Sequence, residues 1–288
     1  MPMAEMIRTY VYRNYKRRCR IFYLRCIYMI CREVIEGLQK RWPEQFAMEW
    51  DNVGLLVGDK DQEVHHLFVA LDATEEVVDL AIQAGADMII THHPMIFSPM
   101  KKIVTDDFIA RRVIKMIRAG ICYYAMHTNF DVMGMADLNV KELQFKNAEV
   151  LDVTYDDGET KEGIGRVGEL PYEMKLDEFG VFVKECLGLD KVRVYGNTDA
   201  VVHRAAVCSG SGKSEIKAAL RSGADVYVTG DVDYHMGIDA VAQGLAVVDA
   251  GHYGTEMVFI SYMEKELKEM FPEMQVTSVK IKQPFILC

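Results

Sequence analysis

The chain has 288 residues, half of them hydrophobic and about a quarter charged, with a net charge of −10. That length builds one large domain or two modest ones, and no apolar run approaches the roughly 18 residues a membrane-spanning helix needs. An acidic body argues against nucleic acid as a direct partner, because phosphates are repelled; seven scattered cysteines without a C-x-x-C pair give neither a disulfide framework nor a zinc-finger pattern, and suit a reducing cytoplasm.

Residues 1–30 run against this trend, with seven Lys/Arg and a single acid, Glu5. Residues 1–28 form a basic, aromatic extension that lacks the continuous apolar core and small-residue cleavage site of a secretory signal. An Arg-rich transit peptide, a helix ahead of the fold, and an extension upstream of a natural start at Met29 all remain open readings.

A first α/β lobe is expected over 29–146. Val34, Ile35 and Leu38 predict a helix over 30–41, followed by Pro43. Trp50-Asp51-Asn52-Val53-Gly54-Leu55 is a glycine-bounded turn into a strand, and 66–71 is a second strand. A helix over 75–84 has Thr74 as its N-cap. Residues 86–90, after Gly85, read as a buried strand that stops at Thr91-His92-His93-Pro94, because Pro94 has no N–H to continue a ladder. A helix over 108–118, closed by Gly120, leads to a strand over 121–126 that ends in His127-Thr128-Asn129-Phe130-Asp131. Residues 147–163 are polar and rich in Gly and Asp, an expected exposed connection; 164–288 form the second lobe.

The second lobe repeats the first at an offset of 138 residues. His66-Leu67-Phe68-Val69 matches Arg204-Ala205-Ala206-Val207, and Gly85-Ala86-Asp87 recurs as Gly223-Ala224-Asp225 at the same place in each unit. Ala119-Gly120-Ile121 matches Gln243-Gly244-Leu245, each opening a strand that ends at or near a histidine, His127 and His252. The reading is an internal duplication: two facing α/β lobes with strand ends converging on one cleft.

Histidines 92, 93, 127 and 252 all fall at those strand ends. His127 and Asp131, and His252 and Glu256, share a spacing of four, which puts each pair on one face if the chain turns helically there. Imidazole and carboxylate together suit zinc, iron, manganese or a similar divalent ion rather than calcium. Five or six such ligands are too many for one ion with an open position, and suit two ions bridged by a carboxylate.

These motifs, together with Thr229-Gly230-Asp231-Val232-Asp233-Tyr234-His235, resemble the signature of the Nif-three-like dinuclear metal proteins, also called GTP cyclohydrolase type 2 homologues. The resemblance covers about 29–288. It implies a two-lobed fold, two metal ions held by His92, His93, Asp131, His252 and Glu256 with Glu256 bridging, and a toroidal homohexamer. It leaves His127 as a ligand or a proton carrier, the one candidate catalytic residue, and places His235 and Asn52 on the cleft wall. The chain is too short between 150 and 200 for the middle insertion domain of longer family members. His65 and His66, before a strand, are expected to be solvated or packed. Ser209-Gly210-Ser211-Gly212-Lys213-Ser214 imitates a phosphate loop, but that pattern needs glycine where Val207 stands. Two functions stay open: a metal-dependent hydrolase, acting on GTP by resemblance or on a phosphoester or amide, and a non-catalytic metal-binding or regulatory scaffold.

Overall fold

The computed structural model describes residues 29–281 and 283–285. The extension over 1–28, with the question of its origin, lies outside the described residues. Strands run in chain order as β1 (Met29–Ile30), β2 (Gly54–Val57), β3 (Glu63–Val64), β4 (His66–Ala70), β5 (Met88–Thr91) and β6 (Cys122–Ala125) in the first half. They continue as β7 (Lys146–Asp156), β8 (Lys161–Lys175), β9 (Arg193–Tyr195), β10 (Val201–Ser211), β11 (Val226–Gly230), β12 (Ala246–Asp249) and β13 (Gln275–Ser278).

Two mixed sheets result. The first has the order β13-β4-β5-β6-β2 and the second β7-β8-β10-β11-β12-β9; β1 and β3 pair separately. The two sheets share a unit of three parallel strands, β4-β5-β6 and β10-β11-β12, with an antiparallel edge strand, β2 or β9; on the other side β13 adds a fourth parallel strand to the first, and β8 and β7 add antiparallel strands to the second. Parallel strands buried on both faces need apolar residues on both, and the side chains alternate accordingly. Val69, Ile90 and Tyr124 face the helices Cys31–Arg41 and Val258–Met270, while Phe68, Ile89 and Tyr123 face Glu75–Ala84 and Phe108–Ala119. In the second sheet Val207, Val228 and Val248 face Leu176–Cys186, and Ala206, Tyr227 and Val247 face Ile216–Arg221 and Tyr234–Ala242. Each lobe is a three-layer sandwich, and each fully buried Val, Ile or Leu contributes about 1.5–3 kcal/mol.

The repeated Gly-Ala-Asp has one structural job, done twice. Asp87 Oδ2 accepts from the backbone N–H groups of His65 and His66 at 2.8 and 3.0 Å, and Asp225 Oδ2 accepts from those of His203 and Arg204 at 2.8 and 2.9 Å. The carbonyls of the same two aspartates accept from the N–H of Cys122 and of Ala246, which start the next strand. One aspartate, through its side chain and its carbonyl, thus ties three strands at their entry, and this explains why the motif recurs. The helix caps follow the sequence: Thr74 Oγ1 accepts from Val77 N–H, and Gly120 closes Phe108–Ala119 in the left-handed conformation.

Two segments depart from the expected division. Residues 147–163 do not form a loose connection. They belong to the β7–β8 hairpin at the edge of the second sheet, and the solvent-facing sides of its strands supply the polar composition. The C-terminal end of the chain leaves the second lobe: β13 pairs with β4 in the first sheet, and Val258–Met270 covers that sheet. Among the described residues no helix is long and apolar enough to cross a membrane.

Candidate metal centre

The turn after β5 is held rigidly. Thr91 Oγ1 donates to the His93 carbonyl at 2.8 Å, His93 N–H donates to the Leu71 carbonyl, and the buried Tyr123 hydroxyl accepts from Met95 N–H at 2.8 Å. Burial pushes the Tyr123 phenol up to about 12, so it stays a neutral staple. From this turn His92 points inward, fully buried, and His93 points into the cleft.

Every imidazole is anchored through Nδ1. His92 donates to the Met126 carbonyl at 2.8 Å, His93 to Asp72 Oδ1 at 2.8 Å, His252 to Asp231 Oδ2 at 2.8 Å and His127 to Asp51 Oδ1 at 2.9 Å. Asp51 is itself fixed by the Thr128 N–H and hydroxyl, and these bonds, with the His127 ring, outweigh burial and hold its carboxyl down at about 2. A histidine fixed at Nδ1 presents Nε2 to the centre, the arrangement of a metal-ligating histidine with its outer partner.

The presented atoms converge across the two lobes. His93 Nε2 and His252 Nε2 lie 3.1 Å apart, and Glu256 Oε2 is 3.1 Å from the first and 3.2 Å from the second. On the other side, His92 Nε2 is 3.5 Å from Asp131 Oδ1 and 3.6 Å from Glu256 Oε1. Two groups are close enough to hold a metal ion: His92, His93 and His127, and His93, His252 and Glu256. His92 Nε2, Asp131 Oδ1 and Glu256 Oε2 are buried without a hydrogen-bond partner. Leaving such atoms unpaired costs about 1–3 kcal/mol each, more for charged groups, and divalent cations held among them would satisfy all three. The donor set therefore fits a metal. Against burial, Asp72 and Glu256 push His93 up to about 10, and Glu256 and Asp231 push His252 up to about 9. Burial, with the charge of Glu256, raises Asp131 against the pull of the imidazoles, whereas the imidazoles hold Glu256 well below the usual carboxylate range despite burial.

Local structure explains the aim of each side chain. Asp131 opens a π-helical stretch, Asp131–Met135, between Thr128–Phe130 and Ala136–Glu142, a distortion that recurs at functional sites. Glu256 comes from the short helix His252–Glu256, entered through Gly251 at φ +75°. The strand registers put His127 level with Gly251 rather than with His252, so the two histidines are displaced by one residue and only their neighbourhood is shared. Gly210, at φ +62°, presses against Glu256: a Cβ there would meet Oε1 at 2.3 Å. Asn139 locks the lobes together, donating to Ser209 Oγ at 2.8 Å and to the Thr255 carbonyl at 2.9 Å.

All six histidine and carboxylate candidates, His92, His93, His127, Asp131, His252 and Glu256, meet at this place. Two expectations, those for His235 and Asn52, shift. His235 is exposed and lines a separate cavity with Lys213 and Asp239. Asn52 donates to the Ile96 carbonyl at 2.6 Å, so it ties one loop to another instead of facing the cleft. His66 is packed, its Nε2 2.8 Å from Thr277 Oγ1. Lys213 pairs with Asp233 at 2.6 Å, away from any phosphate cradle. The supporting residues Asp51 and Asp72 escaped the sequence reading. Asp72 was within reach of it, since it follows β4 at the same sheet edge as the His92-His93 pair.

Comparisons with known proteins show the family and the fold. The family model Duf34/NIF3 (NGG1p interacting factor 3) matches residues 29–284. A Clostridium acetobutylicum protein named GTP cyclohydrolase 1 type 2 homolog is 38% identical over 239 residues, covering 82% of this chain and 88% of the relative. A Bacillus cereus protein related to NIF3 superposes with a TM-score of 0.85 at 30% identity, covering 91% of this chain and 99% of the other. Reduced HcgD from Methanocaldococcus jannaschii gives a TM-score of 0.76 at 31% identity, covering 88% and 98%.

Proposed function

Because the chain belongs to the Duf34/NIF3 family, we propose that it is a dinuclear divalent-metal protein and a metal-dependent hydrolase. In this reading His92, His93, Asp131, His252 and Glu256 would hold two ions, with Glu256 shared between them. The observation that carries it is the convergence of Nε2 atoms from both lobes on the two oxygens of one buried carboxylate. Two divalent ions, whether zinc, iron or manganese, supply a hydrolytic nucleophile at neutral pH and polarise the bond it attacks.

The chain's own residues do the rest. Asp72, Asp231 and the Met126 carbonyl keep the imidazoles aimed. His127 is the proton carrier: Asp51 holds its Nδ1, and its Nε2 is left to hold or give a proton at the cleft. A homohexameric assembly belongs to the same proposal. Tyr234, Ile238 and Val241, all exposed on Tyr234–Ala242, supply apolar surface for contact between copies, and native mass spectrometry reads the copy number.

The test is a panel of GTP, chromogenic phosphomonoesters and phosphodiesters, and amides. It is offered to metal-loaded protein, chelator-stripped protein and the Glu256→Ala variant. Turnover of at least one substrate by the loaded protein alone is expected. No turnover across the panel removes the hydrolase reading and leaves metal binding or scaffolding; turnover that survives Glu256→Ala removes the proposed centre.

A further inference from the structure

A cavity of about 270 Å³ opens beside the candidate ligands. Small-molecule sites run from roughly 300 to 1,000 Å³, so the occupant is compact. One wall is aromatic. Trp50 and Phe97 are 61% and 52% exposed, with ring centroids 6.0 Å apart and planes at 48°. Trp50 also stands edge-on to the His127 ring at 6.1 Å. The chain's other tryptophan, Trp42, is buried in the core at 3%.

The exposed pair is held in place. Asp51, next to Trp50, is clamped by His127 and Thr128, and Asn52 bonds the loop that carries Phe97. With centroids 6.0 Å apart and planes at 48°, the rings leave no slot between them, and a ring stacked on Trp50 meets Phe97 along its edge. The opposite wall carries the hydroxyls of Ser209, Ser211 and Ser214, suited to a ring's polar edge.

Charge narrows the occupant further. Among the described residues no Lys or Arg lines this cavity, whereas Asp131, Glu215 and Glu256 do. Asp51, Asp72 and Asp231 stand behind the imidazoles. Lys213, the one cation of the glycine-rich turn Ser209–Ser214, lines the other cavity and is paired with Asp233. A polyphosphate would meet cations only at the metal ions themselves, amid several carboxylates.

We propose that this cavity binds a compact planar heteroaromatic ring, stacked on Trp50 with Phe97 along its edge, in a molecule that is neutral or singly charged: a base or nucleoside in preference to its triphosphate. The inference rests on the metal-centre reading above, since the metals are what the bound ring would face.

The test is calorimetry on metal-loaded full-length chain with adenosine, guanosine, cytidine and uridine, their 5′-triphosphates, and ribose 5-phosphate, with metal content measured on each sample. At least one nucleoside is expected to bind, more tightly than its triphosphate, with no saturable binding of ribose 5-phosphate. Trp50→Ala weakens that nucleoside roughly 5- to 100-fold, Trp50→Phe restores most of the loss, and neither changes metal content. Binding of none of the four nucleosides to metal-loaded protein, tighter binding of the triphosphate, or unchanged affinity in Trp50→Ala overturns this inference and leaves the metal centre standing. A chain that takes up no metal overturns both.

Discussion

The two lobes share the order of three parallel strands and an antiparallel edge strand, their entry aspartates and the backbone bonds those aspartates make, yet the residues they turn toward the cleft differ. Where the first lobe has Asp72, His92-His93 and His127, the second has Gly210, Gly230-Asp231 and Gly251. The first lobe supplies candidate ligands directly from its strand ends. The second supplies room: Gly210 and Gly230 let Glu256 and the backbone of His252 approach closely. Burial follows the same division, with the His92 side chain fully buried and that of His252 36% exposed. A duplicated scaffold has thus produced an asymmetric site, and only the residue at the seam, Glu256, serves both halves.

The comparison breaks most completely at that seam. Glu256→Ala removes the carboxylate facing both imidazole groups, so elemental analysis of the variant is expected to find neither ion retained. The loss exceeds the roughly 10- to 100-fold in affinity that removing a hydrogen bond behind a ligand costs. The next effect separates the lobes. Asp72→Ala and Asp231→Ala each free one imidazole, and competition with a chelator is expected to show metal affinity falling about 10- to 100-fold. Asp72 is the larger case, since His93 is the more buried of the two rings. Equal losses would argue that burial does not distinguish the lobes.

Gly210→Ala tests the room that the second lobe makes. A Cβ at φ +62° against Glu256 is expected to cost about 1–3 kcal/mol, read as a lower Tm of the metal-free chain. An unchanged Tm would mean that the close approach relaxes freely. The smallest effect tests the symmetry itself. Asp87→Ala and Asp225→Ala each remove a carboxylate that accepts two backbone N–H groups, so each is expected to lose about 1–2 kcal/mol in denaturant unfolding. A clear inequality would show that the shared motif no longer does the same work in both halves.

Much of this was legible in the sequence, for physical reasons. Gly-Ala-Asp recurs because the same three strands are tied at the same point, and a strand that ends in His-His-Pro has to release its histidines at the sheet edge. The hairpin over 146–175 misled because edge strands with one wet face look polar and loop-like. The return of β13 to the first sheet left no trace, since Gln275-Val276-Thr277-Ser278 carries nothing that names its partner strand. Trp50 and Phe97 are 47 residues apart in sequence, and only the bond between Asn52 and Ile96 reveals that they form one wall. The one-residue displacement between His127 and His252 was likewise hidden, because it follows from strand register and the positive φ of Gly251.

The central claim is that both lobes close on one two-metal centre, and elemental analysis of the protein as isolated tests it most directly. Two divalent transition-metal ions per chain, both absent from Glu256→Ala, is the result the account predicts. A chain that carries no such metal and takes up none on addition would contradict it.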